Sequence, residues 1–285
     1  MKAFLLLIFL FILNCSFDNK SGIWKNSNQT TEEKKDDNLS EFKTLSSVKD
    51  TFDKNLTINK NFKFPVFTNV ESTNWKEIYY RKSNNLPNFA YEEKNELILK
   101  SGKITNKKAN NKILSENNNI IINDKRGNII IYSKNQNKIL QKFNFYKKRF
   151  KNVEKNLNLI VEKNIIFVSD NLGYLYAYDY KKNKVIWAKD YKVPFRSNLK
   201  LSNNSLYAAN QNNNLYKFNK KNGEILKLIP TEETIIKNQF VNSLSLNENY
   251  LFFLNTYGSL YTFQKNDMKL LWFLNLNQST DLDPN

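Results

Sequence analysis

A short pattern that recurs four times most constrains what this 285-residue chain can fold into. In each copy a turn residue is followed by a short apolar and aromatic run, as in "GYLYAYD" in the second copy. The turn residues are Gly127, Gly173, Asn213 and Gly258, with separations of 46, 40 and 45 residues. Glycine adopts positive φ at little steric cost, and asparagine tolerates it better than most residues. The pattern therefore predicts four copies of one β-hairpin.

Each copy extends beyond this hairpin turn. A second turn falls at Asn137, Asn183 and Gly223, and Met268 departs from this series in residue type. The apolar run after the second turn contains Trp187 in one copy and Trp272 in another. Two further apolar runs precede each first turn, so the repeating unit holds four predicted strands.

A four-stranded unit of this length is typical of a blade of a β-propeller, whose small sheets bury their faces against neighbouring blades. We therefore predict an all-β propeller of four-stranded antiparallel blades over residues 62–285, with clear repeats over 112–285. The region 76–111 contains the strand-like runs "NFAYEE" and "ELILKS" but fits the repeat poorly, so four or five blades are expected.

The composition excludes several kinds of chemistry. The chain has no histidine, and its one cysteine is Cys15. Histidine-based acid–base catalysis, Ser-His-Asp and Cys-His arrangements, Cys/His zinc sites and intrachain disulfides are therefore excluded. The remaining carboxylates, lysines, tyrosines and hydroxyls form no recognisable catalytic or metal-binding motif, so we expect no catalytic residues, no metal and no cofactor.

The formal net charge of +17 has two interpretations. A basic chain can bind nucleic acid or an anionic membrane surface. The lysines are spread through turns and strand edges along the sequence, and joint enrichment in Lys, Asn and Ile is typical of an AT-rich genome. We favour this compositional explanation of the charge over binding to nucleic acid or a membrane surface, and predict no nucleic-acid partner.

The N-terminus predicts export. Met1-Lys2 and the apolar run "AFLLLIFLFIL" have the form of a signal peptide over residues 1–14, and the run is too short to span a membrane comfortably. The cysteine that follows, Cys15, resembles the lipidated first residue of bacterial lipoproteins, although Asn14 stands where Gly, Ala or Ser is usual. The alternative is an ordinary secretory signal with a chance cysteine. Residues 15–61 are mainly polar and are predicted to form a disordered tether.

The repeats and the N-terminus together resemble the BamB-like outer-membrane lipoproteins with pyrroloquinoline-quinone-type propeller repeats. The resemblance covers about residues 112–285 and is strongest at Gly173–Trp187 and Gly258–Trp272. It implies a non-enzymatic scaffold of the outer-membrane β-barrel assembly machinery, anchored by lipid on the periplasmic face of the outer membrane. Members of this family have eight blades, so the sequence is interpreted as part of a longer propeller.

The same resemblance implies a partner. The stretch "VPFRSNLKL" is similar to a family segment that contacts the POTRA domains of the BamA-like barrel-assembly protein, with Phe195 and Arg196 as the matching pair. The alternative is that Phe195 fills the space between blades and Arg196 covers a sheet edge. The long insertion Ile229–Leu244 is a second possible partner-binding stretch, or a connection that covers an edge.

Two other function classes share this repeat. A periplasmic quinone-dependent dehydrogenase would need a carboxylate-rich calcium site, commonly beside a vicinal cysteine pair, and the chain lacks that pair. A propeller that binds sugars or peptidoglycan would show affinity for those polymers.

Overall fold

The computed structural model describes the backbone of residues 15–17 and 24–26, and residues 74–89, 93, 95–110, 112–232 and 240–276. The chain divides into two compact units, Met1–Ile58 and Asn59–Asn285. The predicted signal peptide and most of the predicted tether lie outside the described residues, so both stay predictions. Within the described part, no helix is long and apolar enough to span a bilayer.

In the first unit the structure describes one antiparallel strand pair. It consists of β1 (Cys15–Phe17) and β2 (Trp24–Asn26), in which Cys15 is paired with Asn26. This pair lies within the stretch that the sequence predicts as a tether.

The second unit contains four four-stranded antiparallel sheets in its described residues, which confirms the predicted propeller blades. The first blade is β3 (Leu114–Glu116), β4 (Asn119–Asn123), β5 (Asn128–Ser133) and β6 (Lys138–Asn144). The second is β7 (Leu157–Glu162), β8 (Ile165–Asp170), β9 (Tyr174–Asp179) and β10 (Lys184–Asp190). The third is β11 (Lys200–Ser202), β12 (Ser205–Ala209), β13 (Leu215–Asn219) and β14 (Ile225–Ile229). The fourth is β15 (Ser243–Leu246), β16 (Tyr250–Leu254), β17 (Ser259–Gln264) and β18 (Leu270–Asn275).

Strands pair in chain order within every blade, and four antiparallel strands return the chain to the face from which the blade began. The chain therefore leaves each blade and enters the next on one face, which we call the connection face. A β-bulge interrupts the pairing of the third and fourth strands in every blade. It adds local twist where the outer strand bends.

The first turn of each blade is built in the same way. The residue that opens it accepts backbone N–H groups from two and four residues further on, at 2.8–3.1 Å. The four opening residues are Asp124, Asp170, Asn210 and Asn255. The turn residues that follow, Gly127, Gly173, Asn213 and Gly258, all have positive φ. These side-chain hydrogen bonds hold the turns on the connection face in one geometry.

The second turn also keeps its geometry in all four blades. Positive φ occurs at Asn137 (49°), Asn183 (53°), Gly223 (75°) and Met268 (60°). Met268 differs from the other three turn residues in residue type but not in backbone geometry. Its side chain is buried in the core between the third and fourth blades. Burial of this side chain offsets the cost of left-handed backbone in a residue that disfavours it.

Three apolar clusters fill the spaces between neighbouring blades. Adjacent residues of one strand face different clusters: Leu159 and Val161 face the first blade, and Ile160 faces the third. Trp187 extends from β10 into the second space, where its Nε1 donates to the carbonyl of Lys220 at 3.0 Å. A Cβ at Gly223 would lie 2.6 Å from its ring, so the glycine makes room for the indole.

The segment 74–84, here called the strap, runs along the innermost strands of the four blades. Trp75 exchanges two backbone hydrogen bonds of 2.8 Å with Ser115 of β3. The carbonyl of Lys76 accepts from Val161 of β7 at 2.9 Å, and that of Lys82 accepts from Leu246 of β15 at 2.8 Å. The strap thus supplies partners to inner edges that a lone sheet would leave unpaired.

A buried ion pair fixes the strap to the third blade. Lys200 of β11 contacts Glu77 at 2.5 Å and donates to the carbonyl of Arg81 at 3.1 Å. Burial raises the pKa of Glu77 and lowers the pKa of Lys200, while each partly offsets the shift of the other.

One sequence expectation is wrong in this region. The run "ELILKS" at 96–101 is irregular, and its Leu97 and Ile98 are 80% and 95% exposed. An isolated apolar run forms a strand only where a neighbouring strand or a core covers it. The described residues of the region 74–110 form the strap and an irregular segment.

The two repeat tryptophans predict unequal stability effects. Trp187 is 9% exposed and Trp272 is 45% exposed. We expect Trp187→Ala to lower the free energy of unfolding by about 3–5 kcal/mol and Trp272→Ala to lower it by less than about 1 kcal/mol. Urea denaturation of both variants measures the difference, and equal losses would contradict the placement of Trp187 between two blades.

The buried pair predicts a second effect. Lys200→Met should lower the free energy of unfolding by about 3–5 kcal/mol, because it leaves the Glu77 carboxylate buried without its cation. Adding Glu77→Leu should recover most of the loss. In Lys200→Met alone the pKa of Glu77 remains raised by burial, so the native state holds that proton more tightly than the unfolded chain does. Its stability should therefore fall as pH rises above about 4.5.

Candidate functional site

Among the described residues, a polar concavity on the connection face lies at the start of the inner strands. It has a volume of about 810 Å3 and is bordered by the strand ends and blade connections of the first three blades and by the stretch before β15. We call it the mouth.

Amides and cations dominate the lining of the mouth. Lys112 donates to Asn158 at 3.0 Å, and Lys125 donates to Asn156 at 2.7 Å. Burial lowers the pKa of Lys112. The lining also contains Lys108, Arg196 and a single carboxylate, Glu154.

That carboxylate is already engaged. Lys125 contacts Glu154 at 2.6 Å, and this hydrogen bond lowers the pKa of the Glu154 carboxyl. The mouth therefore presents hydrogen-bonding amides and an excess of positive charge. Such a lining can hold a ligand that carries negative charge or hydrogen-bonding groups.

Phe195 lies beneath the rim of the mouth. Its side chain is 2% exposed, and its ring meets Tyr191 edge-on with ring centres 5.8 Å apart. Its backbone N–H donates to the carbonyl of Asp170 at 2.9 Å. The ring therefore occupies the space between the second and third blades, and partner contact through Phe195 would require this connection to open.

Arg196 is positioned differently. Its N–H donates to the carbonyl of Ala209 at 3.0 Å, and its carbonyl accepts from Asn242 at 3.1 Å. The side chain is half-buried and lines the mouth. Partner contact by Arg196 stays a prediction, and its place on the rim is compatible with that contact.

The two stretches that the sequence singled out separately lie side by side here. Ser197 and Asn242 form a parallel bridge, so the end of the Ile229–Leu244 insertion lies beside the Phe195–Arg196 connection. Phe240 and Val241 on this insertion are 65% and 70% exposed. Residues 233–239 of the insertion lie outside the described residues.

Sequence reasoning missed the exposed pair. Exposed aromatic and aliphatic side chains beside an arginine are typical of protein interfaces, and Phe240 and Val241 have that exposure whereas Phe195 is buried. Partner contact by Phe195 stays a prediction. The composition of the insertion offered a weak signal, since "QFVNSL" places apolar residues in a long connection outside the repeat.

The described residues contain no group of three or more His, Cys, Asp or Glu side chains placed to hold a metal ion. The other repeat residues singled out from sequence, Gly127, Gly173, Asn213, Gly258 and Trp187, occupy turns or blade interfaces. Trp272 lies on the outer strand of the fourth blade.

Comparison with known families agrees with the blade architecture. The family model described as outer membrane protein assembly factor BamB matches residues 125–272, which is more than half of the chain. The chain belongs to the BamB family. No curated protein sequence matches the chain.

Two solved structures are similar to this chain. BamB from Moraxella catarrhalis aligns with 13% sequence identity and a TM-score of 0.45, over 57% of this chain and 47% of that one. The computationally designed Ika4 protein aligns with 12% identity and a TM-score of 0.43, over 53% of this chain and 87% of that one. The chain thus matches about half of the length of the BamB structure.

Proposed function

We propose that this protein is a non-enzymatic, lipid-anchored scaffold of the outer-membrane β-barrel assembly machinery, held at the periplasmic face of the outer membrane. The observation that carries the proposal is the BamB family match over residues 125–272. The lipid would be attached to Cys15 after removal of residues 1–14.

The rim of the mouth is proposed as the partner surface. Arg196, Phe240 and Val241 combine a cation with exposed apolar side chains on a rigid frame. The connection is fixed on both sides by backbone hydrogen bonds of 3.0–3.1 Å, which reduces the entropy lost on binding. The excess of lysine and arginine in the mouth favours a partner surface rich in carboxylates. We assign this surface to POTRA domains of a BamA-like barrel-assembly protein.

The rim predicts which substitutions weaken binding. Arg196→Glu and Val241→Asp should each weaken binding to purified POTRA domains from the same bacterium by about 10- to 30-fold, measured by titration calorimetry. Each substitution places a negative charge opposite a partner surface that we propose to be rich in carboxylates. Matched controls are Lys184→Glu and Leu226→Asp, which alter exposed residues on the outer strands β10 and β14 and should change binding less than twofold.

Phe195→Ala tests whether the ring of Phe195 stabilises the packing between blades. Because the ring is buried, its removal should leave a cavity and lower the melting temperature.

Undiminished affinity in both Arg196→Glu and Val241→Asp, with both variants folded, would contradict the rim as the partner surface. The absence of any POTRA binding by the unaltered chain would overturn the scaffold proposal.

The lipid anchor is tested separately. In cells supplied with a labelled fatty acid, the unaltered chain should carry label and sediment with membranes. Cys15→Ala should carry no label, because it removes the sulfur atom to which the lipid would be attached. Asn14→Gly, which restores a usual lipobox residue, should retain the label. Label that persists in Cys15→Ala would exclude this site.

A further inference from the structure

A second concavity on the connection face is strongly basic. It has a volume of about 590 Å3 and lies between the irregular segment 103–107, the outer part of the first blade and the connection from β6 to β7. We call it the basic groove. It shares no lining residue with the mouth.

Eight of the residues that line the groove are lysine or arginine, and none is aspartate or glutamate. The cations are Lys103, Lys107, Arg126, Lys142, Lys147, Lys148, Lys151 and Lys155. All are exposed except Lys155, which is 1% exposed. Their like charges repel one another in the free protein, and an anionic ligand would relieve that repulsion.

Nearby carboxylates offset only part of this charge, since Asp124 and Asp170 counteract the lowering of the Lys155 pKa by burial but leave the exposed cations in excess. Asp124 and Asp170 are buried and accept backbone hydrogen bonds within turns. Glu154 is paired with Lys125 on the mouth side. The sequence interpretation that lysines are scattered therefore does not hold here, because folding brings residues 103–107 and 142–155 to one groove.

The groove has a fixed frame. The Nζ of buried Lys155 donates to the carbonyl of Phe150 and lies 5.1 Å from the centre of the Tyr146 ring. The Tyr146 hydroxyl donates to Asp170 at 2.5 Å, and the guanidinium of Arg126 donates to the carbonyl of Lys151. A short 3-10 helix, Lys148–Phe150, completes the connection. Three of the exposed ammonium groups, those of Lys147, Lys148 and Lys151, are thus displayed from one ordered connection.

We propose that the basic groove binds the phosphate headgroups of an anionic membrane surface. Seven of its eight cations are lysines, which act as point charges toward phosphate, whereas planar recognition of a shaped partner favours arginine. Tyr146 is the one aromatic residue of the lining, and its ring is covered by Lys155 and Gly127, so it offers no face on which a nucleic-acid base could stack. The proposal rests on the anchoring proposed above, which would keep the groove within reach of such a surface.

The test is vesicle flotation of the full chain carrying Cys15→Ser, so that no lipid is attached. Vesicles of phosphatidylcholine with phosphatidylglycerol should bind, and vesicles of phosphatidylcholine alone should bind less, because the cations of the groove attract only the anionic vesicles. The apolar leader contributes equally to both and does not account for the difference. The triple variant Lys147→Glu, Lys148→Glu, Lys151→Glu should bind the anionic vesicles about 100-fold more weakly, at about fivefold per lysine near the surface.

The matched control carries the same charge change elsewhere. Lys138→Glu, Lys184→Glu and Lys221→Glu alter exposed lysines outside the groove and should weaken binding no more than about fivefold. If the groove triple variant melts at a lower temperature, single variants Lys103→Gln and Lys142→Gln take its place, each expected to bind about three- to fivefold more weakly.

Three results would overturn the proposal. They are equal losses in the groove and control triple variants, equal binding of the unaltered chain to anionic and neutral vesicles, and retained vesicle binding in a groove variant that instead loses binding to single-stranded RNA. The assay contains no partner protein and no lipidated cysteine. Its failure therefore leaves the POTRA and Cys15 experiments to decide the proposed function.

Discussion

Mutual burial of neighbouring sheets is the constraint on which the rest of the structure depends. A four-stranded sheet of three- to seven-residue strands is too small to bury both faces by itself, and here each space between blades is filled from both sides. This is why β7, β8 and β9 have nearly continuous apolar sequences: alternate residues face different neighbours. It also explains why the equivalent Trp187 and Trp272 differ in exposure, since only the first lies between two of the four blades.

Stacking of the blades leaves the inner strand of each blade with one edge whose backbone groups have no neighbouring strand. The strap supplies partners there through backbone hydrogen bonds to β3, β7 and β15 and through the Glu77–Lys200 pair at β11. A buried ion pair adds little net stability compared with an apolar pair of the same shape, but it disfavours other registers, because a slip of the strap would bury an unpaired charge. The strap therefore fixes the relative positions of the blades whose connections form the mouth.

The repeated features of the fold could be predicted from sequence, because they depend on local residues. Glycine and asparagine at the first turns, and apolar runs of strand length, are sufficient to identify a blade. The strap could not be predicted, because its partners lie up to 164 residues away, as with Lys82 and Leu246, and its sequence has no period. Partner contact and packing between blades stayed open as roles for Phe195 because sequence does not distinguish a buried aromatic residue from an exposed one. The basic groove was missed because its two halves are separated along the chain.

The candidate binding features lie where the repeat is interrupted. The chain passes from one blade to the next through residues 145–156, 191–199 and 230–242, whereas turns within the second blade need only residues 163–164, 171–173 and 180–183. The first of these connections supplies four of the eight cations of the basic groove, the second supplies Arg196, and the third supplies Phe240 and Val241. The antiparallel count of four strands places all three on the connection face. The proposed membrane contact and the proposed partner contact would need both surfaces accessible together, and the array of blades separates the two surfaces along one face.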